Sequence, residues 1–383
     1  MKKSSRTARK KVAVVVGTRP EAVKLAPVIR ELAASRRLEP LTINTCQHLH
    51  MVEQIFADFG VHSDVKLNVM QPRQTLWDLT SRVSTKLGGY FQRHPVDAVL
   101  VQGDTTSAFV GGLCAFYHKT PVGHVEAGLR SGDRYSPFPE EINRSLLGRI
   151  ATWHFAPTEY SRKKLLREGI ASESIYVCGN TVVDALQWMI RRLKRGSNSK
   201  RAGRGKRRLV LITCHRRENL GEPMAAVARA VRRLAVRHPD CDFVFPMHPN
   251  PAVREVIQPL LRDLGNVRLT EPMDYGEFLD YLVCAHLVLS DSGGVQEEGT
   301  SLGKPVLLLR RETERPEGIK AGVVKMVGTD ENRIYRCAHE LLMSPAAWSA
   351  MAKGSRVFGD GKASARIVKI LDQSLAPAPA ARR

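Results

Sequence analysis

The chain has 383 residues, of which 43% are hydrophobic, and a formal net charge of +21. This length suggests roughly two domains. The apolar run after the basic N-terminus covers only residues 12–16, too short for a signal-peptide core or a membrane span, so we expect a cytoplasmic, soluble protein. Seven cysteines without C-x-x-C spacing argue against a disulfide framework or a zinc site and favour buried free thiols.

The positive charge is concentrated in three segments. Residues 1–11, 191–208 and 374–383 hold six, ten and two lysine or arginine residues and no acid, which leaves about +3 for the rest. We expect a flexible basic N-terminus at 1–11, a basic linker at 191–208 and a disordered tail at 376–383. Solvated segments are favoured over nucleic-acid binding, which the charge alone leaves open.

The first half of the chain alternates strands and helices. Strands are predicted at 11–16, 38–46, 97–102, 121–125, 153–156 and 174–178, with helices after most of them. This alternation predicts parallel βαβ units in a doubly wound α/β domain covering residues 12–190.

Gly17-Thr18-Arg19-Pro20-Glu21 follows the first strand. Thr18 and Glu21 have the spacing of a capping box, which predicts that a helix begins here. Arg19 and Lys24 add positive charge near a helix N-terminus, where the helix dipole favours acids. An anionic ligand and two solvated surface charges explain this pattern equally well.

Two carboxylates lie at the carboxyl ends of neighbouring predicted strands. Asp104 follows the strand at 97–102, and Glu126 follows the strand at 121–125. Ligands of doubly wound sheets bind at this edge, which modestly favours a functional role over turn formation or helix capping. Glu140 and Glu141 lie in a later charged loop and could simply open the next helix.

After the linker the pattern restarts. Strands at 209–213, 242–246, 267–270, 287–290 and 305–309 predict a second Rossmann-like domain at 209–361. The last helix, 362–375, is far enough along the chain to pack back on the first domain. Two such sheets predict one central cleft between the domains, suited to a nucleotide-linked substrate.

The turn at 290–298 joins a buried strand to a helix through paired glycines. Gly293 and Gly294 would let an anion approach the backbone N–H groups at the helix N-terminus, and Glu298 lies one turn further on, where it could take ribose hydroxyls. An ordinary βα turn fits the same residues, so the turn alone does not decide between them.

Six motifs in the same order resemble the non-hydrolysing UDP-N-acetylglucosamine 2-epimerases. They are Gly17-Thr18-Arg19-Pro20-Glu21-Ala22 with Lys24, His124-Val125-Glu126-Ala127-Gly128-Leu129-Arg130, Pro139-Glu140-Glu141 with Asn143-Arg144, His215-Arg216-Arg217-Glu218, Asp291-Ser292-Gly293-Gly294 with Gln296-Glu297-Glu298, and Glu314-Arg315-Pro316-Glu317. The likeness spans nearly the whole chain. It implies a GT-B-type pair of Rossmann-like domains, a homodimer, no cofactor and no metal.

The resemblance also implies a reaction. UDP is eliminated from UDP-GlcNAc to give a 2-acetamidoglucal, and UDP then adds back with the C2 proton on the other face, giving UDP-ManNAc for surface polysaccharide. By matching position, the catalytic residues are Asp104, Glu126, Glu140 and His215. The residues that match UDP-sugar contacts are Arg19, Lys24, Met273, Phe278, Ser292, Gly293, Gly294, Glu298 and Arg315. Met273 is expected to contribute its backbone at the uracil edge, and Phe278 to stack on the uracil.

Bacterial members are often activated by UDP-GlcNAc at a second site. The matching residues are Gln47, Arg73, Glu141, Arg216 and His248. Leu49 and His50 stand where the family usually has Arg followed by Gln or Glu, which puts that site in doubt. Cys214 replaces the usual glycine before His215, and nothing in the sequence explains this change.

Three other functions remain as alternatives. A related UDP-sugar, for example UDP-2,3-diacetamido-glucuronic acid, could be epimerised by the same motifs. A GT-B glycosyltransferase would use the same UDP cleft. It would also have to admit an acceptor on the side of the N-terminal domain, and the three acids with Arg19 and Lys24 there argue against this. A basic nucleic-acid or anionic-surface binder would depend on residues 1–10 and 191–208.

Overall fold

The computed structural model describes residues 8–195 and 207–376. These residues form two compact units. The first comprises the described residues up to Ala185 and from Gly359 onward, and the second runs from Leu186 to Phe358. Most of the expected basic N-terminus, linker and tail lies outside the described residues.

The first unit is a seven-stranded parallel sheet in the order β3-β2-β1-β4-β5-β6-β7. Its strands are β1 (Lys10–Val16), β2 (Leu38–Asn44), β3 (Val65–Lys66), β4 (Ala98–Gln102), β5 (Val122–Val125), β6 (Trp153–Ala156) and β7 (Ile175–Val177). Its helices are α1 (Arg19–Ala34), α2 (Leu49–Phe59), α3 (Leu76–Arg93), α4 (Thr106–Tyr117), α5 (Glu140–Ile150), α6 (Glu159–Arg167) and the start of α7 (Thr181–Arg195).

The second unit is a six-stranded parallel sheet in the order β10-β9-β8-β11-β12-β13. Its strands are β8 (Arg208–Thr213), β9 (Cys241–Pro246), β10 (Val267–Thr270), β11 (Leu287–Ser290), β12 (Val306–Leu308) and β13 (Val324–Met326). The helices that follow are α8 (Glu222–Arg237), α9 (Pro251–Leu261), α10 (Tyr275–Cys284), α11 (Gly293–Leu302), α12 (Pro316–Lys320), α13 (Glu331–Met343), α14 (Pro345–Met351) and α15 (Ala363–Ser374), the last of which belongs to the first unit.

Both sheets confirm the predicted α/β class. The strands carry continuous apolar runs because helices cover both faces of a parallel sheet, and residues 12–16 of β1 are fully buried. The core of the first sheet includes Val15, Val101 and Leu87, and that of the second includes Phe243 and Leu289.

The strand order reverses direction once in each sheet. In the first unit this switch point lies between β1 and β4, and in the second it lies between β8 and β11. Ligands of doubly wound sheets bind outside the carboxyl ends of the strands at such a point. A functional site is therefore expected at the turns that follow these four strands.

Helix α15 packs against α1, far from it in sequence. The carboxylate of Asp184, in α7, accepts hydrogen bonds from the backbone N–H groups of Ser364 (2.8 Å) and Ala363 (3.2 Å) at the start of α15. Arg37 donates to both carboxylate oxygens of Asp372 near its end (2.7 and 2.6 Å). Both ends of the helix are thus attached to the first unit.

Basic residues at the edges of the described ranges belong to the fold. Lys10 lies in β1 and pairs with Asp97 (2.8 Å), and Arg208 lies in β8 and pairs with Asp240 (2.6 Å). All seven cysteines are described and are free thiols, five of them buried, as predicted. Of the helices in the described ranges, none combines the length and apolar character needed to cross a bilayer.

Candidate functional site

Glu21 closes the turn after β1. One carboxylate oxygen accepts hydrogen bonds from the backbone N–H groups of Gly17 (3.1 Å) and Thr18 (2.6 Å), and the pairing of Thr18 with Glu21 is as predicted. The other oxygen accepts the hydroxyl of Thr105, the residue that caps α4 (2.8 Å). Glu21 therefore ties together the two turns at the switch point of the first sheet.

Burial controls the ionisation of Glu21. The side chain is almost completely buried, and desolvation raises its pKa to about 7, although hydrogen bonds from Thr18, Thr105 and Gly17 oppose this shift. Sequence reasoning found only the capping role of Glu21, since capping has a local signal and burial does not.

The two predicted cations of this turn have different surroundings. Arg19 is the first residue of α1, is half-buried, and makes no ion pair with any residue the structure describes. Lys24 is buried, and its Nζ lies 2.5 Å from Oε1 of Glu126. The predicted cation and the predicted catalytic carboxylate are thus in direct contact.

Glu126 is surrounded by hydrogen-bond donors. Besides Lys24, the side-chain amide of Gln102 donates to Oε2 (2.5 Å), and that of Asn180 donates to Oε1 (2.9 Å). Glu126 is 7% exposed and has a left-handed backbone with φ of 65°. Sequence reasoning missed Gln102 and Asn180. The sequence does contain a signal for Gln102, because it is a polar residue at the end of the otherwise apolar strand β4.

Asp104 lies in the turn after β4 and is anchored by α5. Nη2 of Arg144 lies 2.5 Å from its carboxylate, and the side-chain amide of Asn143 donates to its backbone carbonyl (2.9 Å). Arg144 also lies 3.4 Å from the carboxylate of Glu141. Glu140 is the first residue of α5, the helix that carries these contacts, and is half-buried. The structure therefore brings Asp104 and Glu126 to adjacent strand ends, next to the helix that begins with Glu140.

His124, on β5, is neutral. Its Nε2 lies 2.7 Å from the carbonyl oxygen of Gly103, and burial lowers its pKa to about 3. In this neutral state Nε2 donates to the carbonyl, which holds the residue before Asp104 in place.

In the second unit, Asp291 organises the turn after β8. Its carboxylate, which is fully buried, accepts hydrogen bonds from the backbone N–H groups of His215 (2.9 Å) and Arg216 (2.8 Å) and from the side-chain amide of Asn219 (3.0 Å). Nδ1 of His215 lies 3.4 Å from the other carboxylate oxygen. Asp291 thus fixes the turn, and its second oxygen faces the ring of His215 without forming a hydrogen bond to it.

The imidazole of His215 is stacked on that of His248. The ring centroids are 5.7 Å apart and the planes differ by 8°. Burial and the neighbouring His215 lower the pKa of His248, which favours its neutral form. Both rings are exposed, so this part of the second unit is open to a ligand.

The glycine turn lies where the sequence predicts it. Helix α11 begins at Gly293, directly after Ser292. A Cβ at Gly293 would lie 2.7 Å from Nη1 of Arg315, whereas one at Gly294 would meet no atom within 4 Å. The backbone N–H groups at this N-terminus and the guanidinium of Arg315 are therefore adjacent, an arrangement suited to a phosphate.

Arg315 is held by acids. Its Nε lies 2.5 Å from Glu297, and Nη1 lies 3.6 Å from Glu314, which also pairs with the buried Arg310 (3.0 Å). The pKa of Arg216 is lowered by burial and then by Arg310. The guanidinium groups at the carboxyl ends of β8 and β12 are thus paired with acids, and that of Arg315 also lies beside Gly293.

The remaining UDP-contact candidates of the second unit are buried. Glu298 accepts a hydrogen bond from the hydroxyl of Tyr275 (2.8 Å), while Met273 and Phe278 are 6% and 9% exposed. Met273 precedes α10 and Phe278 lies within it. Their predicted roles toward ribose and uracil stay predictions.

The five residues of the predicted regulatory site belong to different units. Gln47, Arg73 and Glu141 are in the first unit, and Arg216 and His248 are in the second. Gln47 accepts a hydrogen bond from Ser107 (3.0 Å), and Arg73 is exposed. Whether they form one site also stays a prediction.

Known proteins resemble the chain over nearly its whole length. A family model described as UDP-N-acetylglucosamine 2-epimerase matches residues 30–372. A UDP-N-acetylglucosamine 2-epimerase of Bacillus subtilis is 46% identical over 361 residues, which cover 94% of each chain.

Solved structures agree with this. The crystal structure of UDP-GlcNAc 2-epimerase from Neisseria meningitidis bound to UDP-GlcNAc is 44% identical, with a TM-score of 0.92, and the match covers 95% of this chain and 100% of that one. The S. aureus MnaA–UDP co-structure is 43% identical, with a TM-score of 0.89, and 96% and 97% of the two chains are covered. The resemblance read from the motifs is therefore confirmed, and the chain belongs to the UDP-N-acetylglucosamine 2-epimerase family.

Proposed function

We propose that this protein is a non-hydrolysing UDP-GlcNAc 2-epimerase that interconverts UDP-GlcNAc and UDP-ManNAc. Membership of the family supports UDP-GlcNAc as the substrate. The observation that carries the chemistry is the buried Glu126 carboxylate, which follows β5, the neighbour of the strand that Asp104 follows, and accepts a hydrogen bond from Lys24. Such a group can take or return a proton.

The proposed reaction has two steps. The C1–O bond to UDP breaks while a carboxylate removes the C2 proton, which gives 2-acetamidoglucal and UDP. UDP then adds back to C1, and a carboxylic acid delivers a proton to the opposite face of C2. Asp104, Glu126 and Glu140 are the proposed acid and base groups.

The leaving diphosphate needs positive partners. We assign this role to Arg19, Lys24 and Arg315, together with the N–H groups of Gly293 and Gly294. His215 is proposed to act near the diphosphate and sugar, with Asp291 holding its backbone. Ser292, Glu298, Met273 and Phe278 complete the proposed UDP contacts. The enzyme is proposed to work in the cytoplasm, where it would supply ManNAc-type sugars for surface polysaccharide.

Incubation of UDP-GlcNAc with the purified protein in deuterated water tests this function. NMR should detect UDP-ManNAc with deuterium at C2, because the C2 proton is exchanged during elimination and re-addition. Release of UDP only when an acceptor sugar is added would instead indicate a glycosyltransferase. Turnover of UDP-2,3-diacetamido-glucuronic acid but not UDP-GlcNAc would move the substrate to the related epimerases.

We also propose that the working form is a homodimer, as the family resemblance implies. Helices α3 and α4 pack against each other and leave large apolar side chains exposed: Trp77 by 86%, Tyr117 by 71% and Phe116 by 56%. A second copy of the chain would cover this surface. Trp77→Asp combined with Phe116→Asp should give a monomer in light scattering. The control Val236→Asp, at an exposed position of α8, should stay dimeric. A wild-type monomer would refute the dimer.

A further inference from the structure

We propose that Gln102 and Asn180 are positioning residues that hold the Glu126 carboxylate ionised and correctly oriented for proton transfer. This inference rests on the proposed function, since it gives Glu126 a proton to move. The two amides come from separate elements, the end of β4 and the turn before α7. Neither is part of the six motifs that identify the family.

Both carboxylate oxygens of Glu126 accept hydrogen bonds. Gln102 donates to Oε2 at 2.5 Å, while Lys24 and Asn180 donate to Oε1 at 2.5 and 2.9 Å. Donors on both oxygens fix the rotation of the carboxylate plane. A proton-transfer group must be held within hydrogen-bond reach of its target, so this fixation has catalytic value.

The surroundings of Glu126 also determine whether its carboxylate is charged. Glu126 is buried, and burial alone would favour its neutral acid. Lys24 supplies one opposite charge, and the two amides add hydrogen bonds that favour the carboxylate without bringing more charge. His124 on β5, which interacts electrostatically with Glu126, is kept neutral by burial, and Asp104, in the turn after the neighbouring strand, is paired with Arg144. The amides therefore help to keep Glu126 ready as a base.

The backbone adds a third observation. Glu126 has a φ of 65°, a left-handed conformation that is unfavourable for a non-glycine residue. Gly103 also has a positive φ, 68°, and a Cβ there would lie 3.6 Å from Oε2 of Glu126. The side-chain hydrogen bonds help to stabilise this unusual backbone because they hold the carboxylate in place.

Asn180→Asp and Gln102→Glu test the inference because each replaces a donor with a carboxylate of nearly equal size. Two adjacent carboxylates share a proton at neutral pH, so the acidic limb of the kcat–pH profile should move up by about one to two pH units. At pH 7, kcat for UDP-GlcNAc should therefore fall, by up to about 10- to 100-fold, while KM changes little, and activity should return at higher pH.

Asn266→Asp is the matched control. Asn266 is an amide in the second unit that donates to the carbonyl oxygens of Ala235, His238 and Cys241. This substitution should lower the unfolding temperature without moving the acidic limb. The positioning role is refuted if Asn180→Asp and Gln102→Glu fold and bind UDP but have the same acidic limb of the kcat–pH profile as the wild type. A wild-type protein without epimerase activity would instead refute the proposed function.

Discussion

At the scale of single residues, Glu21 makes stability depend on pH. Its carboxylate is buried and its pKa is raised from an ordinary value of 4.5 to about 7. A folded-state pKa above the unfolded one means that the folded protein binds the proton more tightly. The stabilisation is therefore complete below pH 4.5 and is lost as the pH rises through 7, a change on the order of 3 kcal/mol.

Glu21→Gln should remove this dependence. The glutamine oxygen can accept from Thr18 and Gly17, and its amide can donate to the hydroxyl of Thr105, so the contacts of the neutral acid are retained. Urea unfolding should find the variant about as stable as wild type at pH 5 and more stable at pH 8. Equal loss of stability at both pH values would contradict the prediction.

Residue-scale prediction from sequence succeeds where the signal is local. Thr18 and Glu21 are three positions apart, and the capping pattern identifies their pairing. Lys24 and Glu126 are 102 positions apart, and no pattern indicates that they touch. Sequence reasoning therefore found both residues of this ion pair but assigned Lys24 only to an anionic ligand.

At the scale of elements, α11 shows how two neighbouring glycines differ. A Cβ at Gly293 would press on the guanidinium of Arg315, whose buried partner Glu297 limits its movement, whereas the space around Gly294 is open. We therefore expect Gly293→Ala to destabilise the second unit by about 1–3 kcal/mol through overpacking. Gly294→Ala should leave stability unchanged or raise it by up to about 1 kcal/mol, because alanine favours a helix.

This turn has two roles to test, binding of the diphosphate and packing against Arg315, and UDP affinity reports on the first. Both substitutions should weaken UDP binding in calorimetry if the N–H groups of Gly293 and Gly294 hold the diphosphate, because each methyl group would crowd the anion. Thermal unfolding of the same two proteins measures the stability difference. If Gly294→Ala destabilises as strongly as Gly293→Ala, the contact with Arg315 does not explain the glycine at 293.

Elements with strong patterns were predicted well. The strands at 153–156, 267–270 and 287–290 have the predicted bounds, because short buried apolar runs end at turn residues. The strands β3 and β13 were not predicted, since two or three residues are too few to carry a periodic signal. The carboxylate of Asp184, in α7, accepts hydrogen bonds from the start of α15, a long-range contact without a local signal.

At the scale of the whole molecule, the chain returns to its first unit after completing the second. Helix α15 places a buried face, including Ile367, Val368 and Leu371, within the first unit. The helix comes almost 180 residues after Asp184, which caps it. Sequence spacing could suggest this return but could not supply its contacts. Stability of the first unit should therefore depend on residues at the far end of the chain.

Ile367→Asp and Lys369→Asp test this dependence with the same new side chain on one helix. Ile367 is completely buried and Lys369 is exposed. A carboxylate at 367 would be buried without a partner, so we expect a loss of about 3 kcal/mol or more in the stability of the first unit, whereas the change at 369 should cost less than about 1 kcal/mol. Hydrogen exchange can assign the effect: amides of β1 and α1 should lose protection in Ile367→Asp, while those of β8 and β11 should not. Equal effects of the two substitutions would mean that α15 contributes little to the first unit.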